Sequence, residues 1–193
     1  MNKTIVFGDM IGCRVYVTTD SGNYPPGRSD EEWLQIIKYH FECVLPVAER
    51  HNAVIAIEPH GYLTTKPGAL WRLATQNESE RIGINFDTGN SFIAGEDPVA
   101  FLDKVKDRVV HMHIKDVSGA LAKAMRGEET GIASSEIAVG EGVNAENIKR
   151  CLDIMAATGR DILISPEAGG DRLMARSIGW VKDYLNTKRY ALV

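Results

Sequence analysis

The chain has 193 residues, 22 Lys and Arg against 26 Asp and Glu, a formal net charge of −4, and 44% hydrophobic residues. That length suits one domain with a sizeable core, and the composition excludes a disordered or collagen-like chain. A pI of 5.8 without a basic cluster excludes the electrostatic footprint of a nonspecific nucleic-acid binder, and no stretch approaches the about 20 apolar residues that cross a bilayer.

In chain order, Gly8 and Asp9 stand where the apolar run of a signal peptide would continue, so no leader is expected. Cys13, Cys43 and Cys151 lack paired spacing, which points to reduced core thiols and a cytoplasmic protein rather than a disulfide framework or a thiolate zinc site. Residues 13–19 predict a strand and 29–52 a long helix. Ser29 and Glu32 open that helix as a capping box, and Pro46 is expected to kink or divide it. Strands are predicted over 54–58, 82–87, 109–114 and 162–165, and helices over 68–76, 98–107, 144–158 and 172–185. Pro98 starts a helix and Gly159 ends one, where those residues cost least. Trp33, Trp71 and Trp180 fall in helices and are assigned to outer-layer packing. Residues 117–143, rich in Gly, Ser, Glu and Ala, form the longest irregular stretch; loops of that length are either binding loops or surface excursions.

Strict alternation of short apolar strands with helices implies five parallel strands, covered on both faces. Four of the strands end in potential metal ligands: Glu58, Asp87, a strand bearing both His111 and His113, and Glu167. One strand–helix repeat separates each of the first three, and one repeat plus the long stretch separates the last. The C-terminal ends of parallel strands share one rim, so these side chains converge. Taken singly, an acid after a strand is a turn or cap residue and a strand histidine a core residue. Four consecutive strands with the same ending are better explained by one site. Three carboxylates and an imidazole suit Mn²⁺, Mg²⁺ or Co²⁺ rather than a structural zinc. Without a cation the three charges would repel one another, and one or more would stay protonated.

The ordered motifs Glu58-x-His60-Gly61, Asp87-Thr88-Gly89-Asn90, His111-x-His113-x-Lys115-Asp116 and Pro166-Glu167 resemble those of the xylose isomerase-like TIM-barrel superfamily, in particular its sugar phosphate isomerase/epimerase branch. The resemblance runs from about residue 11 to 185. It implies a partial (β/α)₈ barrel whose five strands match the fourth to eighth of the family, a single domain over 1–193 truncated at its N-terminal side. A complete barrel takes about 250 residues. An open segment would expose two sheet edges and apolar surface, which implies a truncated chain, a homo-oligomer, a partner chain that completes the barrel, or a segment that tolerates its edges. The implied metal ligands are Glu58, Asp87, His113 and Glu167, with one divalent cation, Mn²⁺ foremost; His111 lies deeper on the same strand face.

The activity implied is that of a cytoplasmic, metal-dependent isomerase or epimerase of a ketose, inosose or related polyol, acting by proton transfer through a metal-stabilised enediolate. Glu58 and Glu167 are the implied general base and acid, and His60, Asn90, Lys115 and Arg126 the substrate contacts. Asp116 is read as a turn cap, and Gly140-Glu141-Gly142 as the turn before an Asn144 cap rather than a phosphate loop. The same cluster supports a lyase or dehydratase on a keto-sugar or keto-glycoside. Two further readings are a non-catalytic partial-barrel subunit and, more remotely, an AP endonuclease. The last is disfavoured because no histidine follows His113 and the charge balance is acidic. A small carbohydrate is the implied partner, with neither nucleic acid nor membrane.

Overall fold

A computed structural model describes residues 1–20, 26–125 and 135–190. Five parallel strands stand in the order β1-β2-β3-β4-β5: β1 (Val15–Thr18), β2 (Val54–Ile57), β3 (Ile82–Asp87), β4 (Val109–Lys115) and β5 (Leu163–Glu167). The helices are α1 (Asn2–Met10), α2 (Asp30–Arg50), α3 (Pro67–Thr75), α4 (Thr88–Ile93), α5 (Pro98–Val105), α6 (Gly119–Met125), α7 (Ala145–Ala157) and α8 (Asp171–Thr187). The product is a curled half-barrel. No helix among the described residues is long and apolar enough to cross a membrane.

One face of the sheet packs on the helical layer. Ile55, Ile57, Ile82, Ile84, Phe86, Met112 and Ile114 join a single apolar cluster with Leu70, Leu73, Phe101, Leu102, Ile148 and Leu152, and Phe86 meets Phe101 edge-on at 5.5 Å. Side chains alternate along each strand, so the opposite, concave face carries Ala56, Asn85, Asp87, His111, His113, Lys115, Ser165 and Glu167. At the edges this inner face is open: Val17 is 39% and Leu163 57% exposed.

The register is what aligns the polar residues. Ile84 stands opposite Val109, but Asn85 stands opposite His111 and Asp87 opposite His113. Val110 is therefore an extra residue on β4, and the bulge brings His111, His113 and Lys115 onto the face that holds Asn85 and Asp87. Gly83 makes room for it, since a Cβ there would lie 2.8 Å from the Val110 side chain.

The capping box at Ser29 forms as expected, with Ser29 and Glu32 exchanging hydrogen bonds, and Pro98 follows an Asp97 cap. Pro46 does not divide α2, which runs continuously from Asp30 to Arg50. Pro46 removes only the hydrogen bond that the carbonyl of Glu42 would accept, and both residues are exposed, so water replaces it. The stretch read as irregular contains α6, whose Ala and Leu residues favour a helix. Asn144 occupies the N-cap of α7 without capping it; its amide instead donates to the Thr88 carbonyl at 2.9 Å. Of the three free cysteines only Cys151 is buried, whereas Cys43 is exposed on α2. Burial pushes the Cys151 thiol up to about 12.

Asp116 is the turn cap its position suggested. Fully buried, it accepts from the amides of Val117 and Asn144 through Oδ1, and of Gly140 and Gly142 through Oδ2, all within 3.0 Å. This one side chain fixes the return of the chain from residue 137 to α7. Asp116→Ala would leave four backbone donors without their acceptor, two of them buried, and is expected to lower stability by about 3 kcal/mol or more. The urea midpoint at unchanged m-value reads this directly, and a loss below about 1 kcal/mol would mean that the loop does not depend on it.

Candidate metal centre

Glu58, Asp87 and His113 sit at the C-terminal ends of β2, β3 and β4, and one ligand atom from each lies within 4.8 Å of the others. His113 Nδ1 is 3.5 Å from Glu58 Oε1 and 3.9 Å from Asp87 Oδ2. Each carboxylate divides its oxygens between structure and rim. Asp87 Oδ1 accepts from the Gly89 and Asn90 amides at 2.8 and 2.7 Å, capping α4, which leaves Oδ2 for the cluster. Glu58 Oε2 accepts from the Asn85 amide at 3.2 Å, and Oε1 from the Asn90 amide at 3.1 Å. The cap reading and the ligand reading of Asp87 thus hold for different atoms of one residue.

Glu167 stands on the next strand, paired in register with Lys115. Its Oε2 lies 2.7 Å from Lys115 Nζ, which is also 3.5 Å from Asp87 Oδ2 and donates to Asn90 Oδ1 at 3.0 Å. Among the described residues, Glu167 lies outside the group of three that can hold an ion. Lys115 is the last residue of β4; Asn90 is fully buried and binds Glu58 and Lys115. His60 is half-buried in the loop after β2, where Thr64 Oγ1 receives its backbone amide at 3.0 Å, and burial lowers its pKa. Arg126 lies outside the described residues.

Sequence reading missed Asn85, whose amide nitrogen reaches both Glu58 Oε2 and His113 Nδ1, the latter at 3.1 Å. An Asn inside an apolar strand was the available signal. Below His113 lies His111, its Nε2 2.9 Å from Ser165 Oγ. Burial pushes His111 down to about 4, so it is neutral.

The electrostatics follow from burial. Asp87 is fully enclosed, and desolvation pushes its carboxyl up to about 7 despite Lys115. Burial also works against charge on Lys115, but Asp87 and Glu167 outweigh it and hold its pKa above the usual value. Glu167 is lowered, since Lys115 more than offsets its burial; His113 is raised, since Glu58 and Asp87 more than offset its burial. A buried carboxyl that resists ionisation beside oxygen and imidazole donors is a site short of positive charge. The donor set fits a divalent ion that prefers oxygen and nitrogen ligands.

The family model described as xylose isomerase-like TIM barrel matches residues 1–184. An inosose dehydratase of Salmonella typhimurium is 29% identical over 102 residues, covering 52% of this chain and 34% of that protein. A D-tagatose 3-epimerase-like protein superimposes with a TM-score of 0.76 at 22% identity, over 98% of this chain and 69% of that one. A Mycobacterium smegmatis xylose isomerase-like TIM barrel protein in complex with magnesium gives 0.74 at 14% identity, over 98% and 66%. The chain spans about a third of the Salmonella relative's length.

Stability without a cation should fall as pH rises. The carboxyl of Asp87 is raised in the fold, so the folded state binds the extra proton between about 4 and 7 and loses that advantage above it. His113 is raised too, so its contribution is complete below its ordinary value of 6.5 and is lost as pH rises through the folded value. The chelated protein is expected to melt lower at about pH 8 than at about pH 6, with Mn²⁺ restoring the loss at the higher pH. A flat melting profile in chelator would show that these groups are not buried together.

Proposed function

The chain belongs to the xylose isomerase-like TIM-barrel family, and from that premise we propose that it is a metal-dependent enzyme moving a proton beside the carbonyl of a ketose, inosose or related keto-polyol. The observation that carries the reading is the convergence of Glu58, Asp87 and His113 on three adjacent strand ends, with a fourth carboxylate, Glu167, on the next strand. Asp87 and His113 serve mainly as ligands, joined by Glu58 and Glu167. A divalent ion held there supplies Lewis-acid stabilisation of negative charge on substrate oxygens.

The residues divide the remaining work. Glu167 is 42% exposed at its side chain and is kept ionised by Lys115, which suits a base facing the open side of the rim. Glu58, on the other side of the cluster, exchanges the proton on the opposite face. His60, Lys115 and Asn90 supply polar contacts that fix substrate oxygens. Abstraction from one face and return to the other inverts the carbon, giving an epimerase; return to the neighbouring carbon gives an isomerase. The second reading is a dehydratase, in which the abstracted proton is followed by loss of the β-hydroxyl as water. The likeness to an inosose dehydratase favours it, and both readings share the first proton transfer. A homo-oligomer, a partner chain or further strands would close the half-barrel over the exposed Val17 and Leu163.

Incubating the manganese-loaded protein with ketoses and inososes in D₂O tests this. Exchange of the α-hydrogen is expected, with products that separate epimerisation from dehydration. Glu167→Gln should slow exchange by about 100-fold or more. Undiminished exchange in that variant would overturn the acid–base assignment, and the absence of exchange with Mn²⁺, Mg²⁺ or Co²⁺ across the panel would overturn the enzymatic reading.

A further inference from the structure

Lys115 is enclosed on all sides, only 4% exposed, yet its ammonium touches two of the four carboxylates and imidazoles assigned to the cation. From β4 it reaches in both directions across the sheet, to Glu167 on β5 at 2.7 Å and to Asp87 on β3 at 3.5 Å, with Asn90 Oδ1 as its third acceptor. The protein is built to seat it there. Gly89 has no side chain because the lysine stem occupies that space: a Cβ would lie 2.4 Å from Cδ, 2.5 Å from Cγ and 2.7 Å from Cβ of Lys115.

We infer that Lys115 is an internal counter-cation, which pairs with Glu167 and Asp87 and competes with a divalent ion for the same carboxylates. The inference rests on the reading that Glu58, Asp87 and His113 take such an ion. The logic is that of charge. The carboxylates of Asp87 and Glu167 face one ammonium, at 3.5 and 2.7 Å from Nζ, and like charges gathered this closely need a positive partner. A divalent ion at the triad supplies the same neutralisation, and two cations a few ångströms apart repel. Ion entry therefore draws Glu167 off Nζ and leaves the ammonium for oxygens of the substrate. Lys115 thus keeps the cation-free rim folded at the expense of cation affinity.

Isothermal titration with MnCl₂ and thermal melting of the full chain test the inference without reference to activity. Lys115→Met keeps the stem's volume and removes the charge. It is expected to bind Mn²⁺ about tenfold or more tightly than wild type, while its chelated form melts lower and the gap narrows on saturation with Mn²⁺. Most of the affinity gain should vanish in a Glu167→Gln background, because the freed carboxylate is its source. Lys104→Met, on an exposed helix position, should leave affinity unchanged. Gly89→Ala displaces the stem without altering the charge and should also tighten binding, which keeps the test decisive if Lys115→Met fails to fold. Equal or weaker binding by both variants, or a gain that survives Glu167→Gln intact, would overturn the counter-cation role. If Asp87→Asn abolishes wild-type binding while Lys115→Met changes nothing, only this inference falls; absence of Mn²⁺ binding in wild type removes the cation reading and this inference with it.

Discussion

Gathering carboxylates at the buried ends of adjacent parallel strands sets the problem that the rest of the rim answers. A carboxylate loses its hydration when enclosed, and neighbours of like sign raise the cost further. Asp87, fully buried between β2 and β4, meets this constraint most sharply. One oxygen is satisfied by two amides of α4; the other faces His113 and Lys115. Glu58 is satisfied by two asparagine amides, which donate hydrogen bonds but carry no charge. Glu58 and Asp87 thus find hydrogen-bond donors more completely than they find positive charge, and that imbalance is why the rim suits a cation.

The same constraint explains the backbone around it. If β4 ran in register with β3 throughout, the two histidines and Lys115 would not share the concave face with Asn85 and Asp87. The extra residue at Val110 shifts them there, and Gly83 accepts the shifted side chain. Thr88 then ties the end of β4 to the start of α4, its hydroxyl receiving the Lys115 amide at 3.0 Å. A bulge, two glycines and a threonine serve one purpose, the placing of polar groups on a surface that the opposite side of the sheet buries in hydrocarbon.

Much of this was legible before any coordinates. Strands with apolar residues at nearly every position, each followed by a ligand type, report a parallel sheet with a polar rim, because alternation and length are local properties. What was not legible depended on register. Asn85 reads as an interruption in Ile84-Asn85-Phe86 until it is known to stand opposite His111. The pairing of Lys115 is hidden until Glu167 is found beside it on β5 and Asp87 on the opposite side, on β3. The short helix α4 hides because Thr88-Gly89-Asn90 carries turn chemistry, and the tertiary contact of Gly89 with the lysine stem overrides that local preference. Of the two outcomes Pro46 suggested, division of the helix does not occur, since one lost hydrogen bond at an exposed carbonyl does not end a helix of 21 residues.

The division between floor and rim also bears on chemistry. Asn85, His111 and Ser165 form a layer beneath the cluster whose members carry no net charge, His111 being held neutral by burial. A charged floor would compete with the rim for any cation and add to the repulsion on Asp87. A wholly apolar floor would leave Glu58 Oε2 and His113 Nδ1 without the Asn85 amide that orients them. Neutral polar groups meet both demands, fixing direction without adding charge. The positive charge can then sit at one level only, above the floor and among the acids.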